Sequence, residues 1–134
     1  MDRPLEFVVD ASIVLAAILN EPEKATILEK TRGRYPQSPG CLRWEIGNAL
    51  SAMLKRKRLS RVECDGALVA FSKIPIKEVE VNLSTVLELC ESHNLYAYDA
   101  YYLEVARQHS RPLMSLDRRM IKAAENEGIG VERI

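Results

Sequence analysis

The chain has 134 residues, of which 47% are hydrophobic and 28% are charged. This length and composition predict one globular domain over residues 1–134, large enough to bury a core without covalent staples. Nineteen basic and nineteen acidic residues give a net charge of zero. That balance excludes a global basic field as the means of attracting nucleic acid, so such a partner would have to be held by local patches.

The three cysteines and the N-terminal segment bear on the compartment. Cys41, Cys64 and Cys90 are far apart and odd in number, which argues against a disulfide framework and a zinc site and indicates thiols in a reducing compartment. The first residues lack a basic region followed by a cleavable apolar core. The apolar run 7–19 is too short to span a bilayer and contains an acid, Asp10. We therefore expect a cytoplasmic protein without a membrane segment.

The first half of the chain begins with an apolar strand that is followed directly by a helix. Pro22 fits the first turn of a second helix, and the prolines and glycines of residues 33–40 leave room for one short strand. A long helix with apolar residues on one face follows. The elements predicted here are, approximately, strand 6–9, helix 11–19, helix 22–31, strand 35–38 and helix 41–57.

The second half continues the alternation of strands and helices. Ser60 and Glu63 form a capping box at the start of one helix, and Asn82 or Ser84 begins another. Pro75 suggests that the strand containing it lies at an edge of the sheet. The predicted elements are helix 60–72, strand 74–81, helix 82–92, helix 98–109, strand 113–116, helix 118–127 and strand 131–134. Such alternation predicts an α/β fold, a parallel sheet with helices on both faces.

Two acids close apolar strands. Asp10 and Asp117 each follow a short apolar run and precede a helix, and taken alone each could simply cap that helix, which is the favoured interpretation of an isolated Asp10. The C-terminal ends of parallel strands meet at one edge of the sheet, however, and α/β proteins bind ligands there.

Two further acids reach the same edge. From Asp99 the helix descends ~15 Å to His109, and the strand from Pro112 returns ~17 Å to Asp117. Asp99 also falls within the apolar stripe of its helix, where a solvated acid is not expected. Glu45 lies one turn into a helix that follows a strand, at the border of the apolar stripe. An acid there can also serve only to complement the helix dipole.

Four carboxylates at one rim would repel each other and raise each other's pKa values. Divalent cations relieve that repulsion, and an all-oxygen site without His or Cys favours Mg²⁺ or Mn²⁺ over zinc. Such a site suits phosphodiester hydrolysis, because one cation activates water and a pair can hold the attacking and leaving oxygens.

Four segments, in this order, carry a resemblance to a known family: Val8–Ser12, Trp44–Leu50, Leu95–Leu103 and Pro112–Asp117. Together they resemble the PIN-domain ribonucleases, specifically VapC-type toxins of prokaryotic type II toxin–antitoxin pairs. The resemblance covers nearly the whole chain. It implies a three-layer α/β/α sandwich on a five-stranded parallel sheet. It also implies a Mg²⁺- or Mn²⁺-dependent endoribonuclease that cleaves RNA, pairs with a cognate antitoxin protein and forms a homodimer.

The resemblance also assigns roles to individual residues. It implies that the metal ligands and catalytic acids are Asp10, Glu45, Asp99 and Asp117. Ser115 matches a hydroxyl residue two positions before the last acid, where it could hold that acid or a water at the metal, and Ser12 fits a similar role near Asp10.

Several basic and aromatic residues have two interpretations each. Arg118 and Arg119 directly follow Asp117 and therefore lie near the rim, where either could contact RNA phosphate. The basic cluster 55–58 could guide RNA at a distance from the cut, but a basic helix end that complements the helix dipole is the favoured interpretation. Tyr102 is expected in the core, and Tyr98 is expected to serve packing or a dimer contact more than base stacking.

Two alternative functions stay open. The first is a catalytically silent PIN-like module that binds RNA or protein, which the four intact acids disfavour. The second is a phosphatase or phosphotransfer domain with Asp10 as nucleophile. It is weaker, because Ser12 stands where a haloacid-dehalogenase-like phosphatase has a second Asp, and because an acid ends the late strand where a receiver domain has Lys.

Overall fold

The computed structural model describes residues 4–134, which form five strands and seven helices. The strands are β1 (Glu6–Val9), β2 (Tyr35–Ser38), β3 (Lys77–Glu78), β4 (Leu113–Met114) and β5 (Val131–Glu132). The helices are α1 (Ala11–Ile18), α2 (Lys24–Thr31), α3 (Leu42–Lys55), α4 (Arg61–Ser72), α5 (Leu83–His93), α6 (Ala97–Gln108) and α7 (Arg118–Asn126). The type and order of the predicted elements are confirmed.

All five strands pair in parallel in the order β3-β2-β1-β4-β5. The chain builds outwards from β1 to β2 and β3, and then crosses back to place β4 on the other side of β1. The C-terminal ends of β1 and β4 therefore flank the point where the winding changes direction, which is where α/β sheets form a ligand crevice. The predicted parallel sheet is confirmed, with β3 at an edge as Pro75 suggested.

Helices cover both faces of the sheet. Phe7, Val8 and Val9 are 1%, 0% and 3% exposed, and because successive strand residues point to opposite faces, both faces of β1 must be covered. Helix α6 packs on β1, β2 and β4, whereas α1 packs with α2, α3 and α4. The predicted three-layer α/β/α arrangement is confirmed.

Three strands are shorter than the sequence predicted, among them β5, which spans Val131–Glu132 rather than 131–134. The strand expected over 74–81 pairs only at Lys77–Glu78, because the Ile76 N–H bonds within its own segment to the carbonyl of Ile74 at 2.9 Å. Strand β4 ends at Met114 rather than near residue 116, because the N–H groups of Leu116 and Asp117 bond to serine hydroxyls instead of a neighbouring strand.

Local signals fix the ends of several helices. Ser60 and Glu63 form the predicted capping box of α4, and Asn82 caps α5 by accepting a bond from the Thr85 N–H. Gly128 follows α7 with φ of +78°, a conformation that glycine adopts without steric cost. Within residues 4–134, no helix combines the length and apolarity needed to cross a membrane.

Candidate active site

Asp10 follows β1 and is only 4% exposed. Its Oδ1 accepts hydrogen bonds from the Ser12 hydroxyl at 2.6 Å and from the Ile13 N–H at 3.3 Å. Its Oδ2 accepts a bond from the Ser115 hydroxyl at 2.5 Å. Asp10 thus caps α1, and it also has a set of hydroxyl partners that a simple cap does not require.

Ser12 and Ser115 hold Asp10 between the first and fourth strands. Each hydroxyl donates to Asp10 and accepts from backbone beyond β4: Ser12 from the Leu116 N–H and Ser115 from the Asp117 N–H, both at 2.9 Å. The resemblance implied that Ser115 could hold the last acid or a water at the metal. In the structure its hydroxyl instead holds the Asp10 carboxylate and contacts only the backbone of Asp117.

Asp117 lies at the matching position after β4 and is exposed. Its Oδ1 accepts hydrogen bonds from the Arg119 N–H at 2.9 Å and the Met120 N–H at 3.5 Å, which makes it the cap of α7. These bonds orient the carboxylate at the start of the helix and beside the position where Ser115 holds Asp10.

Glu45 lies in the first turn of α3 and is half-buried. Its Oε2 accepts a hydrogen bond from the Tyr102 hydroxyl at 2.6 Å and a weaker one from the Cys41 thiol at 3.4 Å. Tyr102 is 1% exposed, as expected of a core residue, but its hydroxyl also connects α6 to this acid on α3. Glu45 therefore does more than complement the helix dipole.

Asp99 lies in the first turn of α6 and is half-buried. Within residues 4–134 its carboxylate receives no hydrogen bond, unlike those of the other three acids. Electrostatic interactions nevertheless connect Asp99 with Asp117 and with the Arg119 guanidinium, so it faces the end of β4 as the length argument predicted.

Three of the acids favour the protonated form more than free carboxylic acids do. Burial is the largest cause that raises the pKa of Asp10, Glu45 and Asp99. Repulsion adds to it: Asp117 raises the pKa of Asp10 and of Asp99, and both Asp10 and Asp99 raise the pKa of Glu45. The four carboxylates therefore form an electrostatically connected ring at one rim.

The hydroxyl contacts offset part of this repulsion. Hydrogen bonds from Ser115 and Ser12 lower the pKa of Asp10, and the bond from Tyr102 lowers the pKa of Glu45. Conversely, burial and the adjacent Glu45 raise the pKa of the Cys41 thiol to about 12. Cys41 therefore stays protonated at neutral pH and can donate to Glu45, whereas metal binding and nucleophilic attack need the thiolate.

The comparison with known proteins agrees with this arrangement. Residues 7–126 match the sequence profile of the PIN domain. The chain belongs to the PIN-domain family. The fold also resembles the crystal structure of PAE2754 from Pyrobaculum aerophilum, with a TM-score of 0.69 and 26% identity over 96% of this chain and 89% of that one. No curated protein matches the chain significantly.

PIN domains are typically nucleases that use divalent metals, and the acid ring of this PIN domain has suitable chemistry for such a cation. The donors are carboxylate oxygens, and each oxygen that accepts one hydrogen bond retains a further lone pair. Within residues 4–134, however, no three His, Cys, Asp or Glu side chains form a ready-made metal cluster.

Sequence reasoning did not find two contacts of the site. Cys41 precedes Glu45 by four residues, and this one-turn spacing on a helix is readable from sequence. Tyr102 and Glu45 are 57 residues apart, and only the packing of α6 against the sheet brings them together. No local pattern distinguishes the Tyr102 hydroxyl from that of any core tyrosine.

We predict that Tyr102→Phe raises the pKa of Glu45. The substitution keeps the buried ring and removes the O–H that stabilises the ionised carboxylate. NMR titration of the Glu45 carboxyl carbon measures the effect, with Tyr35→Phe as a control that removes an exposed tyrosine hydroxyl. An unchanged Glu45 titration in folded Tyr102→Phe would contradict the positioning role.

We also predict that Asp99→Asn stabilises the PIN domain at neutral pH when divalent cations are absent. Because folding raises the pKa of Asp99, the folded state binds more protons, and stability falls as pH rises from the ordinary value of 3.8 through the raised one. The variant should melt a few degrees higher at pH 7, with the gain shrinking towards pH 3.8.

Thermal unfolding monitored by circular dichroism measures that difference. Glu88→Gln removes an acid from the exposed side of α5 and provides the matched control. Equal melting temperatures for Asp99→Asn and the wild type at pH 7 would show that the ionised Asp99 carboxylate does not destabilise the folded domain.

Proposed function

We propose that this PIN domain is a metal-dependent endoribonuclease that hydrolyses phosphodiester bonds of RNA. The observation that carries the proposal is the ring of Asp10, Glu45, Asp99 and Asp117 at the switch point of the sheet, where mutual repulsion favours binding of a cation. Membership of the PIN-domain family, whose members are generally nucleases, also supports the proposal.

We assign the four acids as the ligands of Mg²⁺ or Mn²⁺. The bound cation would provide positive charge beside the scissile phosphate and lower the pKa of an attacking water. The protein's own contribution is to hold the oxygen donors in place. Ser12 and Ser115 orient Asp10, whereas backbone N–H groups orient Asp117.

The other two acids differ in how firmly they are held. Tyr102 and Cys41 fix one oxygen of Glu45. Asp99, whose carboxylate receives no hydrogen bond within residues 4–134, is the acid most free to adjust its position. We infer that Asp99 would adjust its position to a bound cation, whereas Asp10 would act as the fixed anchor of the site.

The contacts of Asp10 disfavour the phosphatase alternative. Its carboxylate is 4% exposed, and both oxygens accept hydrogen bonds. Ser12 stands where a haloacid-dehalogenase-like phosphatase has a second Asp. Its hydroxyl donates to Asp10, and it offers no carboxyl group to act as a general acid. The catalytically silent module is distinguished from the nuclease by the cleavage experiment below.

We further propose that the protein is a cytoplasmic VapC-type toxin, formed by a single domain over residues 1–134 and acting as a homodimer. Support comes from the resemblance of four segments, in matching order along nearly the whole chain, to that group of PIN domains. Its antitoxin would be a small protein, and co-purification with the product of an adjacent short reading frame tests this assignment.

We predict that the purified protein cleaves RNA in Mg²⁺ or Mn²⁺ and that EDTA abolishes the cleavage. Asp10→Asn and Asp99→Asn should each reduce the rate by roughly 10²–10³ or more, the scale at which loss of one preorganised electrostatic group acts. Electrophoresis of labelled RNA measures cleavage, circular dichroism confirms folding, and Glu88→Gln controls for loss of an acid outside the ring.

Three outcomes would contradict the proposal. Cleavage that persists in excess EDTA would exclude the metal. RNA binding without cleavage by the folded protein, with either cation, would favour the silent module. An acyl-phosphate trapped on Asp10 would indicate the phosphatase.

A further inference from the structure

A polar groove of about 500 Å³ lies between the end of α5 and one face of α7. Ser92, Asn94 and Asn126 contribute a hydroxyl and two amides to its lining, and Arg119 and Lys122 contribute positive charge. In the described part of the chain, no Asp or Glu lines this groove. His93 also lines the groove and pairs with Glu127, which lies outside the lining, at 2.7 Å. The lining itself therefore carries cationic and neutral polar groups, in contrast to the acid ring.

The two cations of the groove are available to bind an external anion. Arg119 and Lys122 are exposed and three residues apart on α7, so they share a face of that helix. Within residues 4–134 neither forms an ion pair, whereas Arg107 and Arg133 are paired with glutamates. Arg119 interacts with the Asp99 carboxylate only beyond ion-pair distance. Arg119 and Lys122, beside two amides, match the groups that proteins use to contact a phosphodiester backbone.

The groove begins at the acid ring. Helix α7 starts directly after Asp117, and the Arg119 N–H donates to the Asp117 carboxylate at 2.9 Å. The Arg119 guanidinium also interacts electrostatically with Asp99. Lys122 lies ~4.5 Å further along the helix axis. A strand that passes through the acid ring therefore meets Arg119 first and Lys122 next.

We propose that this groove binds the sugar-phosphate backbone of single-stranded RNA on one side of the cleavage position, through Arg119 and Lys122. This inference rests on the proposed nuclease function and extends it to the path of the substrate. The chain has no net charge, so affinity for RNA must come from a local cationic surface. Of the two arginines that follow Asp117, Arg119 rather than Arg118 lines the groove.

The test measures binding of a fluorescently labelled single-stranded RNA by anisotropy over a range of salt concentrations, in EDTA so that the RNA stays intact. For the double variant Arg119→Ala/Lys122→Ala we expect Kd to rise about tenfold at low salt. We expect the slope of log Kd against log salt to fall by about 1.4, since each single-strand phosphate contact contributes ~0.7.

The matched control is Arg32→Ala/Lys73→Ala, which likewise removes one arginine and one lysine, here from exposed positions that follow α2 and α4. It should change Kd less than twofold. Equal weakening by both double variants would overturn the groove in favour of a general charge effect. Displacement of the RNA by inorganic phosphate at the same concentration would overturn it in favour of a small-anion site.

The design separates failure of this inference from failure of the proposed function. If the wild type cleaves RNA in Mg²⁺ and the groove variant keeps the wild-type Kd and salt slope, only the groove assignment is overturned. If the wild type neither cleaves nor binds RNA, the nuclease proposal fails and the groove assignment fails with it.

Discussion

The structure depends on holding four carboxylates at the C-terminal rim of the sheet against their mutual repulsion. The pKa values of Asp10, Glu45 and Asp99 are raised by burial and by neighbouring acids. Serine hydroxyls, a tyrosine hydroxyl and helix N–H groups recover part of that cost through hydrogen bonds to the carboxylates. Acids whose pKa values are raised by burial and by one another mark a candidate functional site.

The same contacts join the elements of the fold to one another. Ser12 and Ser115 both donate to Asp10 and both accept from backbone N–H groups beyond β4, so the ends of the two central strands are tied through one carboxylate. Tyr102 connects α6 to α3 in the same way. Strand β4 is short because the N–H groups of Leu116 and Asp117, just beyond it, bond to the serines of this site rather than to the sheet.

Sequence reasoning predicted the features that repeat locally and missed those that depend on packing. Asp10 and Asp117 could be placed at one rim because each ends an apolar run before a helix, and parallel strands bring such positions together. The pairing of Ser115 with Asp10 spans 105 residues, and that of Tyr102 with Glu45 depends on how α6 sits on the sheet. Neither leaves a periodic trace in the sequence. The short β3 likewise reflects a hydrogen bond within its own segment, which propensity does not encode.

The central claim is that the acid ring exists to bind a divalent cation. Anomalous diffraction from crystals equilibrated with Mn²⁺ tests it most directly, because the signal locates manganese independently of enzymatic activity. The account predicts an anomalous peak in contact with the carboxylates of Asp10 and Asp99, close to Glu45 and Asp117, and a loss of that peak in Asp99→Asn. Mn²⁺ bound elsewhere, with no peak at these four acids, would contradict it.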